Sequence, residues 1–239
     1  MNENIIEIKN LTKIYKNNKN TGIFKLNFNV PRGSFFAFIG ENGAGKTTTI
    51  KTITGSYLNY EGEVLINGIN IKDAKSRQKL GYIPENAIFP KEITVYEYLK
   101  YLGLLTEQEK NKVIQKIDEL LNEFGILELK HKKPYNFSSG QKKKILLIQA
   151  LLIDPEVIIL DEPAANLDPT GRYQLFTLLK KLHEQGKTIF ISSHILSEID
   201  KYVDTLTLIH KGRIVYSGPK VKNLEELFYE KVIKENSIY

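Results

Sequence analysis

The 239-residue sequence contains no cysteine, which excludes disulfides and thiolate-metal chemistry. Long apolar runs are missing as well. The longest uninterrupted stretches, FFAFI from Phe35 and ILLI from Ile145, fall far short of the roughly 18 to 20 residues that a membrane span needs. The opening MNENIIEIKN lacks a basic segment followed by an apolar one, so no secretory leader is expected and cytosolic residence is the default. No internal repeat, low-complexity tract or linker interrupts the chain. Charge is only modestly one-sided, with 34 basic against 28 acidic residues and a formal net charge of +6. That balance suits a nucleic acid, an anionic membrane surface or a phosphorylated ligand. Yet the lysines are spread throughout, and the densest runs, KHKK from Lys130 and KKK from Lys142, read as ordinary solvated faces. With 41% hydrophobic residues, the chain has enough apolar material for a sizeable core.

Alternation in FKLNFNV puts Phe24, Leu26, Phe28 and Val30 on one side, the pattern of a half-exposed antiparallel strand. EVLINGINI adds two short strands around Asn67-Gly68, a strong hairpin turn. The segments FFAFIG, VIILDE, TIFISS and TLTLIH are short and continuously apolar or β-branched, as in central strands of a parallel sheet joined by crossover helices. After Asp168-Pro169, Leu175, Leu178, Leu179 and Leu182 follow helical spacing up to Gly186. Between residues 86 and 154 strand signals vanish. Thr94 with Glu97 and Thr106 with Glu109 form capping-box patterns, and Val113, Ile114, Ile117, Leu120, Leu121 and Phe124 make an apolar stripe. From about 222, Leu224, Leu227, Phe228, Val232 and Ile233 predict a last amphipathic helix.

GENGAGKT, residues 40 to 47, fits the phosphate-loop pattern G-x-x-x-x-G-K-[ST] between a buried strand and a helix that Gly55 can end. Gly40, Gly43 and Gly45 let main-chain N–H groups wrap phosphate oxygens. Lys46 would neutralise the β- and γ-phosphates, and Thr47 would ligate Mg²⁺; a flexible glycine-rich turn is the bland alternative. Asp161 and Glu162 close VIILDE. At a strand end, the first can reach a magnesium shell and the second can polarise water, or both can be plain loop residues. Ser138, Ser139, Gly140 and Gln141 head the apolar run ILLIQALLI, so an anion-ready helix end is expected there. Ser138 as a structural N-cap is compatible with that.

The order of these parts resembles the ATP-binding-cassette (ABC) ATPases, over nearly the whole chain to about residue 218. A phosphate loop, a glutamine-containing loop, a helical subdomain ending in L-S-G-G-Q, an acidic strand end, an A-L-D loop and a histidine stand here as GENGAGKT, GYIPE, FSSGQ, VIILDEP, ANLDP and SSH. The resemblance implies an α/β P-loop NTPase core, a mostly parallel sheet with flanking helices, plus an N-terminal antiparallel β layer and a helical subdomain. It implies a single ABC domain over 1–239: core and β layer in 1–85 and 155–221, helical subdomain with the signature loop in 86–154, C-terminal helix in 222–239. It further implies that ATP and Mg²⁺ are bound by Gly40, Asn42, Gly43, Ala44, Gly45, Lys46, Thr47 and Thr48, with Glu85 and Asp161 joining Thr47 at the metal.

By the family pattern, Ser138, Ser139, Gly140 and Gln141 would meet the γ-phosphate of ATP held by a second ABC subunit, identical or not, and Asp168 would lie at that interface. Glu162 would be the general base on a water that His194 and Glu85 position, and His194 would also touch the γ-phosphate. Tyr15 in NLTKIYKN matches the adenine-stacking aromatic, although it could equally be a surface turn residue. Three positions depart from the pattern. Glu85 replaces the loop glutamine, as in ATPase subunits of bacterial multidrug and antibiotic exporters; Ser139 replaces a glycine; Asn166 stands where a small residue is common. No catalytic group is lost, so an active ATPase is expected. The implied setting is the cytoplasmic face of a membrane, on an integral permease subunit docked near Ile88, Phe89, Tyr96, Tyr98 and Tyr101, some of which also suit the core of the insertion. No nucleic-acid partner is expected. A soluble ABC clamp in translation or DNA repair is the alternative, but such proteins usually carry a long coiled-coil insertion or two cassettes. A GTPase would need N-K-x-D, which is absent. Cargo choice would reside in the membrane subunit.

Overall fold

The computed structural model describes residues 3–15, 18–86, 88–106 and 109–234. Two sheets share one body. Strands β1 (Asn4–Tyr15), β2 (Asn18–Pro31), β4 (Glu61–Ile66) and β5 (Ile69–Asn70) form an antiparallel sheet in the order β2-β1-β4-β5. The other sheet runs β10-β9-β3-β8-β7-β6, from β3 (Phe35–Ile39), β6 (Leu80–Ile83), β7 (Val157–Leu160), β8 (Thr188–Ser193), β9 (Thr205–His210) and β10 (Arg213–Pro219). Its pairings are parallel except for the edge strand β10, which is antiparallel to β9.

The alternation of strand side chains sets the layering. In β3, Phe36 and Phe38 face the antiparallel sheet and join Phe28, Phe190 and Ile50, while Phe35, Ala37 and Ile39 face the helices. The α-helices of the described residues are α1 (Lys46–Ile53), α2 (Val95–Leu104), α3 (Lys110–Glu123), α4 (Ser139–Leu151), α5 (Pro169–Glu184), α6 (Leu196–Ile199) and α7 (Leu224–Phe228). Of these, α1 alone packs into the Phe28 side, and α2 to α7 contribute to the other.

Most predicted elements are present, with corrections. Thr94 and Glu97 make both bonds of a capping box at α2, but Thr106 does not open α3. Its hydroxyl donates to Gly103 O, inside the last turn of α2, and α3 starts from Glu109 with no side-chain cap. Strands β6 and β10 are unexpected: LGYI is short and Gly-containing, and RIVYSGP lies half-exposed at the sheet edge. The last helix is shorter than predicted and continues as a π-helical turn over Tyr229–Lys234, which leaves Ile233 exposed. Its predicted end, 235–239, lies outside the described residues.

Candidate functional site

The phosphate loop leaves β3 and enters α1 through main-chain geometry that only glycine tolerates. Gly45 has φ +111°, and a Cβ there would lie 2.6 Å from Ile23 Cγ2; a Cβ on Gly40 would lie 2.4 Å from Ile209 O. No side chain caps α1, so its first N–H groups stay available to an anion. Lys46, 6% exposed, is held over this turn by donating to Gly40 O (2.7 Å) and Glu41 O (3.2 Å).

Asp161 and Glu162 follow β7 directly. Glu162 adopts φ +44°, a left-handed conformation costly for a non-glycine residue, and its N–H donates to Ser192 Oγ at 2.9 Å. The same hydroxyl donates to Asp161 Oδ1 at 2.8 Å. One fully buried serine therefore sets both carboxylates. Glu162 Oε1 lies 3.2 Å from Lys46 Nζ, as an ion pair that meets no hydrogen-bond geometry, and Oε2 is 2.9 Å from His194 Nδ1. Below them, the Tyr82 phenol is pushed up to about 12, by burial first and by the Asp161 charge second.

Asn42, Gly43, Gly45, Lys46, Thr47, Thr48, Glu85, Glu162 and His194 thus line a single cavity of about 350 Å³, with Gly40 in a neighbouring one that shares Asn42 and His194. Ala44 is buried beneath the loop. Tyr15 stays beside the cradle, its hydroxyl 2.9 Å from Thr48 Oγ1 and its ring edge-on to Tyr57. Ser138, Gly140, Gln141 and Asp168 line a separate cavity of about 230 Å³ between α4 and α5. There the helix end is capped: Ser138 Oγ accepts from Gln141 N, and Gln141 Oε1 accepts from Ser138 N. Ser139 donates to Asn166 O at 2.6 Å, and Asn166 has φ +62°, which asparagine tolerates better than most residues. Asp168 caps α5 by accepting from Gly171 N. A Cβ on Gly140 would meet nothing within 4 Å, so no packing in this chain requires glycine there.

The aromatic cluster divides. Ile88 and Tyr101 are 87% and 56% exposed, but Phe89 is buried against the Tyr98 ring, and Tyr98 donates to Gln149 Oε1.

A family model described as ABC transporter matches residues 23–165. The chain belongs to this family. A putative ABC transporter ATP-binding protein of Mycoplasma pneumoniae is 47% identical over 92% of this chain and 68% of its own length. A bacitracin transport ATP-binding protein of Enterococcus faecalis is 37% identical over 89% of this chain and 68% of its own. Among solved structures, an ATP-binding subunit of an ABC transporter superposes with TM-score 0.82 at 30% identity, covering 98% of both chains. The chain is an ABC ATPase, the ATP-binding subunit of a transporter.

This ABC ATPase has a donor set that fits Mg²⁺, which takes oxygen ligands from one or two carboxylates and from phosphates. Thr47 and Glu85 line the same cavity, and Asp161, beside Glu162 at the end of β7, is held by Ser192. Among the described residues no three His, Cys, Asp or Glu side chains cluster as a metal cage. Sequence reading missed Ser192. Its signal was there, two hydroxyls ending the otherwise apolar strand TIFISS, since a buried hydroxyl needs a partner. It also missed Lys143, 5% exposed within the supposedly solvated KKK.

Proposed function

We propose that this subunit hydrolyses ATP to drive transport, in the export direction, through a separate integral membrane subunit, as one of two cassettes that close around nucleotide. The observation that carries this reading is the Lys46–Glu162–His194 chain beside Thr47 and Glu85 in one cavity. Phosphate oxygens in the cradle would draw Lys46 away from Glu162. The freed carboxylate, still oriented by His194 and by its left-handed main chain, then takes a proton from the attacking water. Thr47, Glu85 and Asp161 would hold Mg²⁺, which would supply charge neutralisation at the phosphates when bound. His194, its ring fixed through Nδ1, touches the γ-phosphate and with Glu85 positions the attacking water, and Tyr15 stacks on adenine beside Thr48.

The exposed, capped end of α4 supplies Ser138, Ser139, Gly140 and Gln141 to nucleotide held by the second cassette, with Asp168 at the junction. Ser139 and Asn166 link that end to the loop that follows Glu162. The division of the chain into a core (1–85 and 155–221), a helical subdomain (86–154) and a terminal helix (222–239) follows from the same reading.

Exposed Ile88, Tyr101, Leu104 and Leu105 suit a cytoplasmic helix of the membrane subunit. A cleft of about 470 Å³ lined by Arg77, Lys79, Leu105 and Ile153 lies alongside. No helix among the described residues is long and apolar enough to cross a membrane, and a peripheral position on the cytoplasmic face follows from the docking. The bacitracin transport relative and Glu85 support export.

The test is Glu162→Gln. Turnover should fall by about two to four powers of ten, the scale of a lost general base. ATP binding should persist, and an ATP-dependent dimer should accumulate in sedimentation. Undiminished turnover would remove the base assignment.

A further inference from the structure

Lys143 lies on α4 three residues beyond Gly140, and its side chain turns inward. Its Nζ donates to the carbonyl oxygens of Pro84 (3.1 Å) and Glu85 (3.0 Å). Among the described residues it forms no ion pair in direct contact: its hydrogen bonds go to main-chain acceptors, and the Glu85 and Asp161 charges attract it only from beyond contact. Desolvating a charge with no counter-ion in contact is expensive, and a leucine or methionine would fill the same space at lower cost. Packing therefore does not account for a lysine here. What lysine adds is two donors for the carbonyls of a turn that is neither helix nor strand, groups that need partners once buried. The turn bears Glu85, and the helix bears the exposed capping box of Ser138 and Gln141.

We propose that Lys143 is a positioning residue for hydrolysis: by clamping the main chain at Pro84 and Glu85, it holds the Glu85 carboxylate at the mouth of the phosphate cavity and couples it to the head of α4. Lys143 touches no reacting atom; it acts through Glu85. A displacement of α4 when its head engages nucleotide on the second cassette is thereby felt at this chain's own cavity. The inference rests on the role given to Glu85 above.

The test is a double-mutant cycle on the full chain with K143M, K143R, E85A and K143M/E85A, measuring kcat and KM for ATP and binding of a fluorescent ATP analogue. K143M should lower kcat by about tenfold to a hundredfold, the range for groups that orient a ligand from behind. Its KM and analogue affinity should stay within about threefold of wild type, and K143R, which keeps the donors, should recover most of the loss. In the E85A background K143M should cost less than about twofold, because its route is already cut. The same loss in both backgrounds, or no loss in either, overturns the proposal. If K143M does not fold, K143L, which likewise has no donor, replaces it in the same cycle with the same criteria. Failure here is distinguishable from failure of the hydrolysis reading, which is decided by Glu162→Gln alone.

Discussion

Helix α1 opens without a side-chain cap, on Gly45 at φ +111°, whereas α4 opens on a reciprocal capping box made by Ser138 and Gln141. The first end has its cation in place, with Lys46 buried over the turn and paired with Glu162. The second faces a cavity that none of the cradle residues lines. Both are helix N-termini able to take an anion, but only the first contains the chemistry to use one. The difference teaches that glycine serves two purposes here. Gly45 is demanded by this chain's own main chain and packing. Gly140, with open space where a Cβ would sit, leaves room for something from outside.

The largest expected effects break this contrast deliberately. Gly140→Asp should leave the fold intact while abolishing ATP-dependent dimerisation, because it puts a carboxylate where a phosphate is expected. Gly45→Ala should instead destabilise the chain by about 1–3 kcal/mol, through strain at positive φ and the clash with Ile23. Thermal melts of the two variants decide it: equal losses of stability would erase the distinction.

A smaller effect concerns the lysine behind the capped end. Burial drives the Lys143 pKa down from 10.5 to about 8. Between about pH 8 and 10.5 the unfolded chain therefore binds a proton that the folded chain has released, so this group's contribution to stability increases with pH across that window. Below about pH 8 the full cost of burying the charge remains. Relative to K143M, wild type should gain on the order of 2 kcal/mol from pH 8 to 10, as read by chemical denaturation. A difference that is flat or of opposite slope would contradict the burial account.

The smallest expected effect compares two threonines with the same sequence pattern. Thr94→Ala should cost about 1 kcal/mol, the usual worth of a cap. Thr106→Ala should cost less than about 0.5 kcal/mol, because its hydroxyl merely back-bonds to Gly103 O. Paired urea titrations check this.

These pairs also show what the sequence could carry. GENGAGKT was legible because its glycines, lysine and threonine act within a few residues of one another, and the apolar central strands because they are covered on both faces. Local pattern could not separate Thr94 from Thr106, since a capping box depends on where the preceding chain ends. Strand β6 escaped because four residues containing a glycine give no period to read. Lys143 and Ser192 escaped for another reason. Lys143 reaches the 84–85 turn and Ser192 reaches Asp161 and Glu162, partners remote in sequence that become visible only when α4 and β8 are placed beside them. Among the aromatics after Glu85, residue type alone does not separate a docking face from the core of the insertion, and burial places Phe89 in the core.

In the proposed dimer the cradle of one cassette is completed by the α4 end of another. Mixing a Lys46→Ala chain with a Gly140→Asp chain tests it most directly, with ATPase activity followed against mixing ratio. Each variant alone should be inactive, yet the mixed dimer regains one site with an intact cradle and an intact α4 end, so activity should appear and peak near equal proportions. A mixture no more active than either variant alone would contradict the account.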